Sequence, residues 1–424
     1  MILQIILPVI LILFLMLFLN FPIYVALFSC TLYLQIFVNQ MPLQNLFNGV
    51  FEALTKNSLL AIPFFLVAGN LMATGSLGHR LVDFCYVLLK KIPGGFILSC
   101  VVANGIFGAI CGSAPAATAT FGKIFWTPLR KEFGDEAAAG VITSSGALSP
   151  IIPPSLTLII FALVTELSLS KLFIAGFIPG VVCVLVLFIY VRVKYRKHNA
   201  NLVREKGEIF KALKYGIPAL LLPVIILGGI YGGIFTPTEA GAVSAIYTAI
   251  VSVFVIKDIS LKDFPKIFID SGKTIGQLFI LIAAGTAFSQ ALTVSQVPNA
   301  LIESMGDISK MGFLITLNIM LLLLGALIDP GAITLIIAPL ALPIAHMVGV
   351  DPIHLGIIFA VNLAIGMFTP PFGLNIFVAQ SVLKQPMGVI VRGCIPYFFC
   401  YIVSLIIITY IPQISLVLGT ILGT

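Results

Sequence analysis

The chain has 424 residues, 60% of them hydrophobic and only 9% charged, with a formal net charge of +7. Soluble domains carry charge on about a quarter of their residues, so the composition excludes one and describes a polytopic membrane protein. In such a protein basic residues report orientation first, and the positive balance does not call for nucleic acid.

The N-terminal run MILQIILPVILILFLMLFLN has no basic n-region and no small-residue cleavage site. Residues 2–19 therefore read as a retained first span rather than a signal peptide. Asn20-Phe21-Pro22 breaks it, and 22–38 is the second span. Residues 43–54 carry apolar side chains at 43, 46, 47, 50, 51 and 54, with Gln44, Asn45, Asn48 and Glu52 opposite. That spacing predicts a helix lying along the interface. Residues 58–74 form a third span, and 79–91 a second short amphipathic piece. Residues 96–125 are apolar around a small, polar midpoint, Cys111-Gly112-Ser113-Ala114-Pro115, and read as a re-entrant hairpin. Residues 137–165 are long enough to span but are interrupted by SGALSPIIPPS at 145–155. Residues 172–191 span again, and the most charged segment, 192–214, follows as a basic linker.

The second half, 215–424, repeats the plan of 1–191. Pro8 and Pro22 recur as Pro223 and Pro237, Ala68-Gly69 as Ala284-Gly285, Gly108-Ala109 as Gly325-Ala326, Pro153-Pro154 as Pro370-Pro371, and Gly176 and Pro179 as Gly393 and Pro396. Spacing this constant over half a chain outweighs chance alignment in an apolar background. The counterpart of the first hairpin is 311–345, with Asp329-Pro330-Gly331 at its midpoint. One helix of that length would run ~52 Å against a hydrocarbon core of ~30 Å, and two full spans would each fall short of ~20 residues. A hairpin turning in mid-membrane fits, although crossing parity alone does not separate it from two short spans. The counterpart of the first broken span is 354–380, interrupted at Gly366–Gly373.

Five crossings per half is an odd number, so the second half enters from the opposite face. With 192–214 in the cytoplasm, 19 Lys and Arg fall on loops assigned inside, and only Lys56, Lys171 and Lys310 outside. Both termini are then outside. The expected fold is an all-α polytopic membrane protein: an inverted repeat with two re-entrant helical hairpins and two broken transmembrane helices.

Paired broken helices in inverted repeats point to a substrate site near the bilayer midplane. An interrupted helix bares carbonyls at one end, which suit a small cation, and N–H groups at the other, which suit an anionic group. Ser113, Ser145, Ser149 and Thr369 add hydroxyl oxygens at the breaks, and Asp329 adds a carboxylate. These hard ligands fit Na⁺ better than a soft metal. Ser113, Ser145, Ser149, Ser155 and Asp329 are the candidate substrate contacts. Each has a plain structural alternative: a Ser bonded to its own helix or a neighbour, and an Asp capping its own hairpin. Glu239, after Thr236-Pro237-Thr238, reads as a first-turn carboxylate, and Trp126 beside Arg130-Lys131 as an interface marker. The seven Cys read as small buried hydrophobes.

Enzymatic chemistry finds little support. Ser271-Gly272-Lys273-Thr274 ends like a phosphate-binding loop, but Ile267 stands where that motif needs Gly. The sequence holds no HExxH or GxSxG, and the four His lie away from the breaks. A channel with re-entrant pore loops is the competing reading.

At GAICGSAPAA (108–117), SGALSPIIPPS (145–155), GALIDP (325–330) with Ala338-Pro339, and IGMFTPPFG (365–373), the chain resembles the large membrane subunit of tripartite ATP-independent periplasmic (TRAP) transporters. The likeness covers essentially the whole chain. It departs at Pro330, where the family often has Thr or Ser after the hairpin Asp. The resemblance implies Na⁺-driven uptake by an elevator-type fold like that of the ion-transporter superfamily, in a bacterial inner membrane. It implies a small membrane partner subunit, here a separate chain, a periplasmic substrate-binding protein, and an organic-acid substrate: sialic acid, a C4-dicarboxylate or another carboxylate. It also implies two sodium sites. Gly108, Ser113, Ser145, Gly146 and Pro150 would frame one. Gly325, Asp329, Gly366, Met367 and Thr369 would frame the other. The hairpins and broken spans would move as a unit against the first two spans of each half and the amphipathic helices.

Overall fold

The computed structural model describes residues 2–197, 207–305 and 308–423. The central part of the basic linker, with His198, Arg204 and Lys206, lies outside the described residues. Among the described residues all regular structure is helical. The first half runs α1 (Ile2–Phe18), α2 (Ile23–Tyr33, extended by a π-helical turn to Val38), α3 (Leu43–Leu54), α4 (Ala61–Thr74), α5 (Leu77–Leu89), α6 (Gly95–Cys111), α7 (Ala114–Phe133), α8 (Asp135–Ser145), α9 (Leu156–Thr165) and α10 (Leu169–Lys194). The second runs α11 (Glu208–Tyr231), α12 (Pro237–Ile250, again with a π-helical turn, to Ile256), α13 (Phe264–Val294), α14 (Val297–Met305), α15 (Lys310–Gly325), α16 (Pro330–Met347), α17 (Pro352–Gly366), α18 (Leu374–Leu383), α19 (Met387–Tyr410) and α20 (Gln413–Leu422). Among the described residues, seven helices are long and apolar enough to cross a membrane.

Local chemistry sets the boundaries. Pro22, Pro42 and Pro386 stand at N-caps, where a missing N–H costs nothing. Thr236 and Glu239 form a reciprocal capping box at the start of α12, so Glu239 serves its own helix end. The arms of the two hairpins, α6/α7 and α15/α16, turn within two to four residues. The first arms, of 17 and 16 residues, rise about 25 Å and end short of a full crossing.

Two features differ from the repeat plan. The second half has no separate counterpart of α3: that segment and the following span fuse into α13, 31 residues long. The chain also turns at Pro412 into a short C-terminal helix, α20, which is tied back by His354 of α17. The ring of His354 lies 3.1 Å from the Ser415 hydroxyl and 3.2 Å from the Thr409 carbonyl.

The halves interlock rather than sit side by side. α4 packs on α12, α5 on α11, α8 on α19, α7 on α18, and α9 on α16. Phe161 meets Phe359 at 5.2 Å between ring centroids, and the Tyr401 hydroxyl donates to the Ser144 carbonyl at 2.9 Å. Polar contacts join loops assigned to the same face. Lys56 pairs with Glu166 at 3.0 Å on one side. Lys90 with Glu208, Asp258 with the Ser76 N–H, and Arg392 with Glu136 (2.8 Å) join loops on the basic side.

Candidate functional site

The hairpin tips and the helix breaks meet. The hairpin-1 tip turns at Gly112, whose φ of +57° favours glycine, and a Cβ there would lie 2.6 Å from the Pro154 carbonyl oxygen of the first break. One turn earlier, a Cβ at Gly108 would stand 2.8 Å from Ser149 Cα. The same crossing recurs 217 residues on: a Cβ at Gly366 would stand 2.4 Å from the Gly325 carbonyl carbon and 2.6 Å from its oxygen. The Phe372 N–H then donates to the Ala326 carbonyl at 3.0 Å, tying the second break to the second hairpin. Both Pro-Pro bonds, 153–154 and 370–371, are cis.

A cavity of about 600 Å³ lies where these elements converge. Its wall includes Gly112, Ser113, Ala114 and Pro115 of the first tip and Asp329, Pro330 and Gly331 of the second. The breaks contribute Pro150, Leu156 and Thr157, and Met367 and Leu374. Pro22–Tyr24 and the 274–281 part of α13 complete it, so the cavity extends from the tips toward the face carrying the α1–α2 turn and the start of α13. Irregular backbone at membrane depth survives when it is packed in protein or lines such a cavity.

Four helices begin at this wall, and their N-termini differ. Ser155 caps α9: its hydroxyl accepts from the Leu158 N–H at 3.3 Å and donates to the Pro150 carbonyl at 2.5 Å. Asp329 caps α16: its Oδ1 accepts from the N–H groups of Gly331 (2.8 Å) and Ala332 (3.3 Å). By contrast α7 and α18 begin without a side-chain cap. A Cβ at Gly122, eight residues into α7, would lie 3.0 Å from the side chain of Val382, eight residues into α18. The two uncapped helices therefore start at the same depth, with positive dipole ends at the cavity. The Asn375 and Ile376 N–H groups of α18 already donate to the Met367 and Gly373 carbonyls (both 2.8 Å). That leaves the Ala114 and Ala116 N–H groups of α7 and the Leu374 N–H of α18 without a partner among the described residues. Among the described residues the cavity wall includes no Lys, Arg or His. An anion bound here is held by backbone N–H groups and hydroxyls.

Of the sequence candidates, Ser113, Pro150, Asp329 and Met367 share the cavity wall. Ser145, Ser149 and Ser155 are fully buried behind it. The Ser145 hydroxyl accepts from the Asn104 amide at 2.9 Å. Thr369 turns back to the Ile365 carbonyl at 2.7 Å. The residues present suit a small hard cation at the first break. Among the described residues the Ser149 and Thr118 hydroxyls and the Asn104 carbonyl oxygen are buried without partners, and a Cβ at Gly146 would stand 2.3 Å from the Thr118 hydroxyl. At the second break the side-chain carbonyl oxygens of Asn362 and Asn375 are likewise buried and unpaired, and Asp329 Oδ2 accepts no hydrogen bond from the helix it caps. Asn104, Thr118, Asn362, Asn375 and the wall residues Tyr24, Thr157, Thr274 and Gln277 escaped the sequence reading. Intramembrane amides at 104, 277, 362 and 375 were the available signal.

Comparison with known proteins agrees with this architecture. Residues 10–414 match the family described as "Tripartite ATP-independent periplasmic transporter, DctM component". The chain is 42% identical over 379 residues to the C4-dicarboxylate TRAP transporter large permease protein DctM of Pseudomonas aeruginosa, covering 88% of this chain and 89% of that one. It is 33% identical to the isethionate TRAP transporter permease protein DctMQ of Oleidesulfovibrio alaskensis, covering 93% of this chain and 63% of that longer protein. In fold it is similar to the Alcanivorax borkumensis YdaH transporter, with a TM-score of 0.55, 13% identity, and coverage of 88% and 89% of the two chains.

Proposed function

Because this chain belongs to the DctM family of TRAP transporter large permeases, and so is a transporter rather than an enzyme, we propose that it carries a small organic dianion of the C4-dicarboxylate class inward, coupled to Na⁺. The observation that carries this reading is the cavity itself. Two hairpin tips and two helix breaks present two uncapped helix N-termini and one carboxylate to a space without basic side chains. A substrate carboxylate takes the free first-turn N–H groups of α7 and α18, those of Ala114, Ala116 and Leu374, while cations neutralise the remaining charge beside it. Sialic acid also fits the volume; the identity to a C4-dicarboxylate permease favours the smaller dianion.

Na⁺ is co-substrate in this reading. The Ser149, Thr118 and Asn104 oxygens and the Gly108 crossing supply the first cation locus. Asp329, Asn362 and the Gly325–Gly366 crossing supply its mate. The basic face is the cytoplasmic face of the inner membrane, so both termini are periplasmic and the cavity opens to the cytoplasm. The hairpins and broken helices move as an elevator against the remaining spans. A small membrane subunit, as a separate chain, and a periplasmic binding protein complete the system. The Oleidesulfovibrio relative, by its name, joins M and Q parts in one chain.

The test is uptake of labelled succinate by proteoliposomes containing this chain and its small subunit, with the cognate binding protein outside. Saturable, uphill accumulation that disappears when K⁺ replaces Na⁺ is the expected result. Non-saturable flux that only dissipates a gradient would replace the transporter by a pore, and uphill uptake without Na⁺ would remove the coupling ion.

A further inference from the structure

The cavity has a second wall that neither the hairpins nor the breaks supply. Tyr24 comes from α2, and Thr274 and Gln277 from α13. On α13 the positions 270, 273/274, 277 and 281 recur at helical spacing, so Asp270, Lys273, Thr274 and Gln277 form one polar stripe leading into the cavity. Its outer end is electrically balanced, because Lys273 stands 3.8 Å from Asp270. Thr274 donates to the Asp270 carbonyl at 3.3 Å and keeps its lone pairs for other donors. The Gln277 side chain is exposed to the cavity and shows no hydrogen bond to any described residue. A side-chain amide on a membrane helix is costly unless it meets water, a polar partner or a ligand.

We propose that Gln277 of α13 and Tyr24 of α2 are specificity-determining residues that hydrogen-bond the end of the substrate distal to the hairpins. This inference rests on the dianion reading above. One carboxylate occupies the N-termini of α7 and α18; the other, lacking any basic partner, accepts from the Gln277 amide and the Tyr24 hydroxyl, while Thr274, its only hydrogen committed to the Asp270 carbonyl, lines the wall beside them. A monocarboxylate fills the first locus and leaves these donors unmet, which is the strong form of discrimination available to a site built for a hydrogen-bonding group.

The experiment uses the complete transporter in inside-out membrane vesicles. All seven native cysteines are buried, so a new thiol labels over a low background. Gln277→Cys and, at the first hairpin tip, Ser113→Cys are treated with a membrane-impermeant maleimide, with excess succinate, propionate or neither. The expected result is that succinate slows labelling at both positions while propionate slows it only at Ser113→Cys. Succinate protection confined to Ser113→Cys would overturn the wall assignment and leave the transport reading standing. Protection at neither position would remove succinate as ligand, and both readings with it. Blockage of Gln277→Cys by the small subunit, with or without succinate, would make the stripe a subunit contact and overturn the proposal. A kinetic readout separates binding from folding: Gln277→Leu raises the KM for succinate in counterflow about tenfold with kcat nearly unchanged, as for loss of a hydrogen bond to a charged group. An equal fall in kcat with unchanged KM would also overturn the assignment.

Discussion

At the scale of single residues, Asp329 has one observed task, capping, and one proposed task, holding charge at the cavity, and substitution can separate them. Its Oδ1 caps α16, a role asparagine performs about equally well. Its charge has no such replacement. Asp329→Asn should therefore insert normally and melt within about 1 kcal/mol of the parent. Na⁺-driven uptake should fall about tenfold or more, since a hydrogen bond or ligand bond to a charged group is worth about 1.5–3 kcal/mol. Unchanged uptake and Na⁺ dependence would leave the residue only its capping role. The Gly325–Gly366 crossing makes a contrasting prediction. Gly366→Ala drives a methyl into the Gly325 backbone, which cannot swing aside as a side chain could, and should cost about 1–3 kcal/mol. Gly228→Ala, whose added methyl meets nothing within 4 Å in the last turn of α11, should instead be neutral or slightly stabilising. Thermal melts of the two variants in one detergent check the pair; equal melting temperatures would contradict the close crossing.

At the scale of elements, the interruptions were legible because proline and glycine write them directly. α8 ends at Ser145 and α9 begins at Leu156 around the Pro-Pro pair, and α17 and α18 flank its counterpart. The all-helical membrane class followed from composition in the same way. The fusion that makes α13 was not legible. At the repeat-related position the first half breaks at Thr55-Lys56, whereas Ser271-Gly272 stays helical although glycine is the poorer helix former. Tertiary contact decides it: the Asn70 amide of α4 donates to the Ser271 hydroxyl at 2.8 Å, and that hydroxyl donates to the Ile267 carbonyl within the helix. For the same reason the site was half visible. Asp329 stands out as a lone carboxylate in an apolar run, but Thr274 and Gln277 follow Asp270 and Lys273 and read as the end of a charged loop. Only once α13 is continuous do they fall on its cavity face. The opposed orientation of the halves has its own test. Lys211→Cys in α11 should label only from the cytoplasm, and Lys310→Cys at the start of α15 only from outside. Labelling of both from one face would abolish the inverted arrangement.

At the scale of the whole molecule, the pseudosymmetry fixes an energetic expectation. Each half brings one hairpin against one broken helix at matched glycine crossings, 108 with 149 and 325 with 366. Each crossing adjoins oxygens that are buried without partners among the described residues, so the proposed mechanism expects two cations with each substrate. Two Na⁺ and one dianion move no net charge across the membrane, whereas two Na⁺ and a monoanion move one positive charge inward. A charge moved down an inside-negative potential gains ~2.3 kcal/mol per 100 mV, enough to change accumulation by more than tenfold. Succinate uptake by proteoliposomes at neutral pH should therefore be insensitive to a K⁺/valinomycin potential while remaining dependent on Na⁺. Should a monovalent organic anion be accepted, its uptake should instead rise when the interior is made negative. Acceleration of succinate uptake by the same potential would require a third cation, and with it a site outside the two symmetric crossings. Slowing would mean fewer than two, so that one crossing serves the substrate alone.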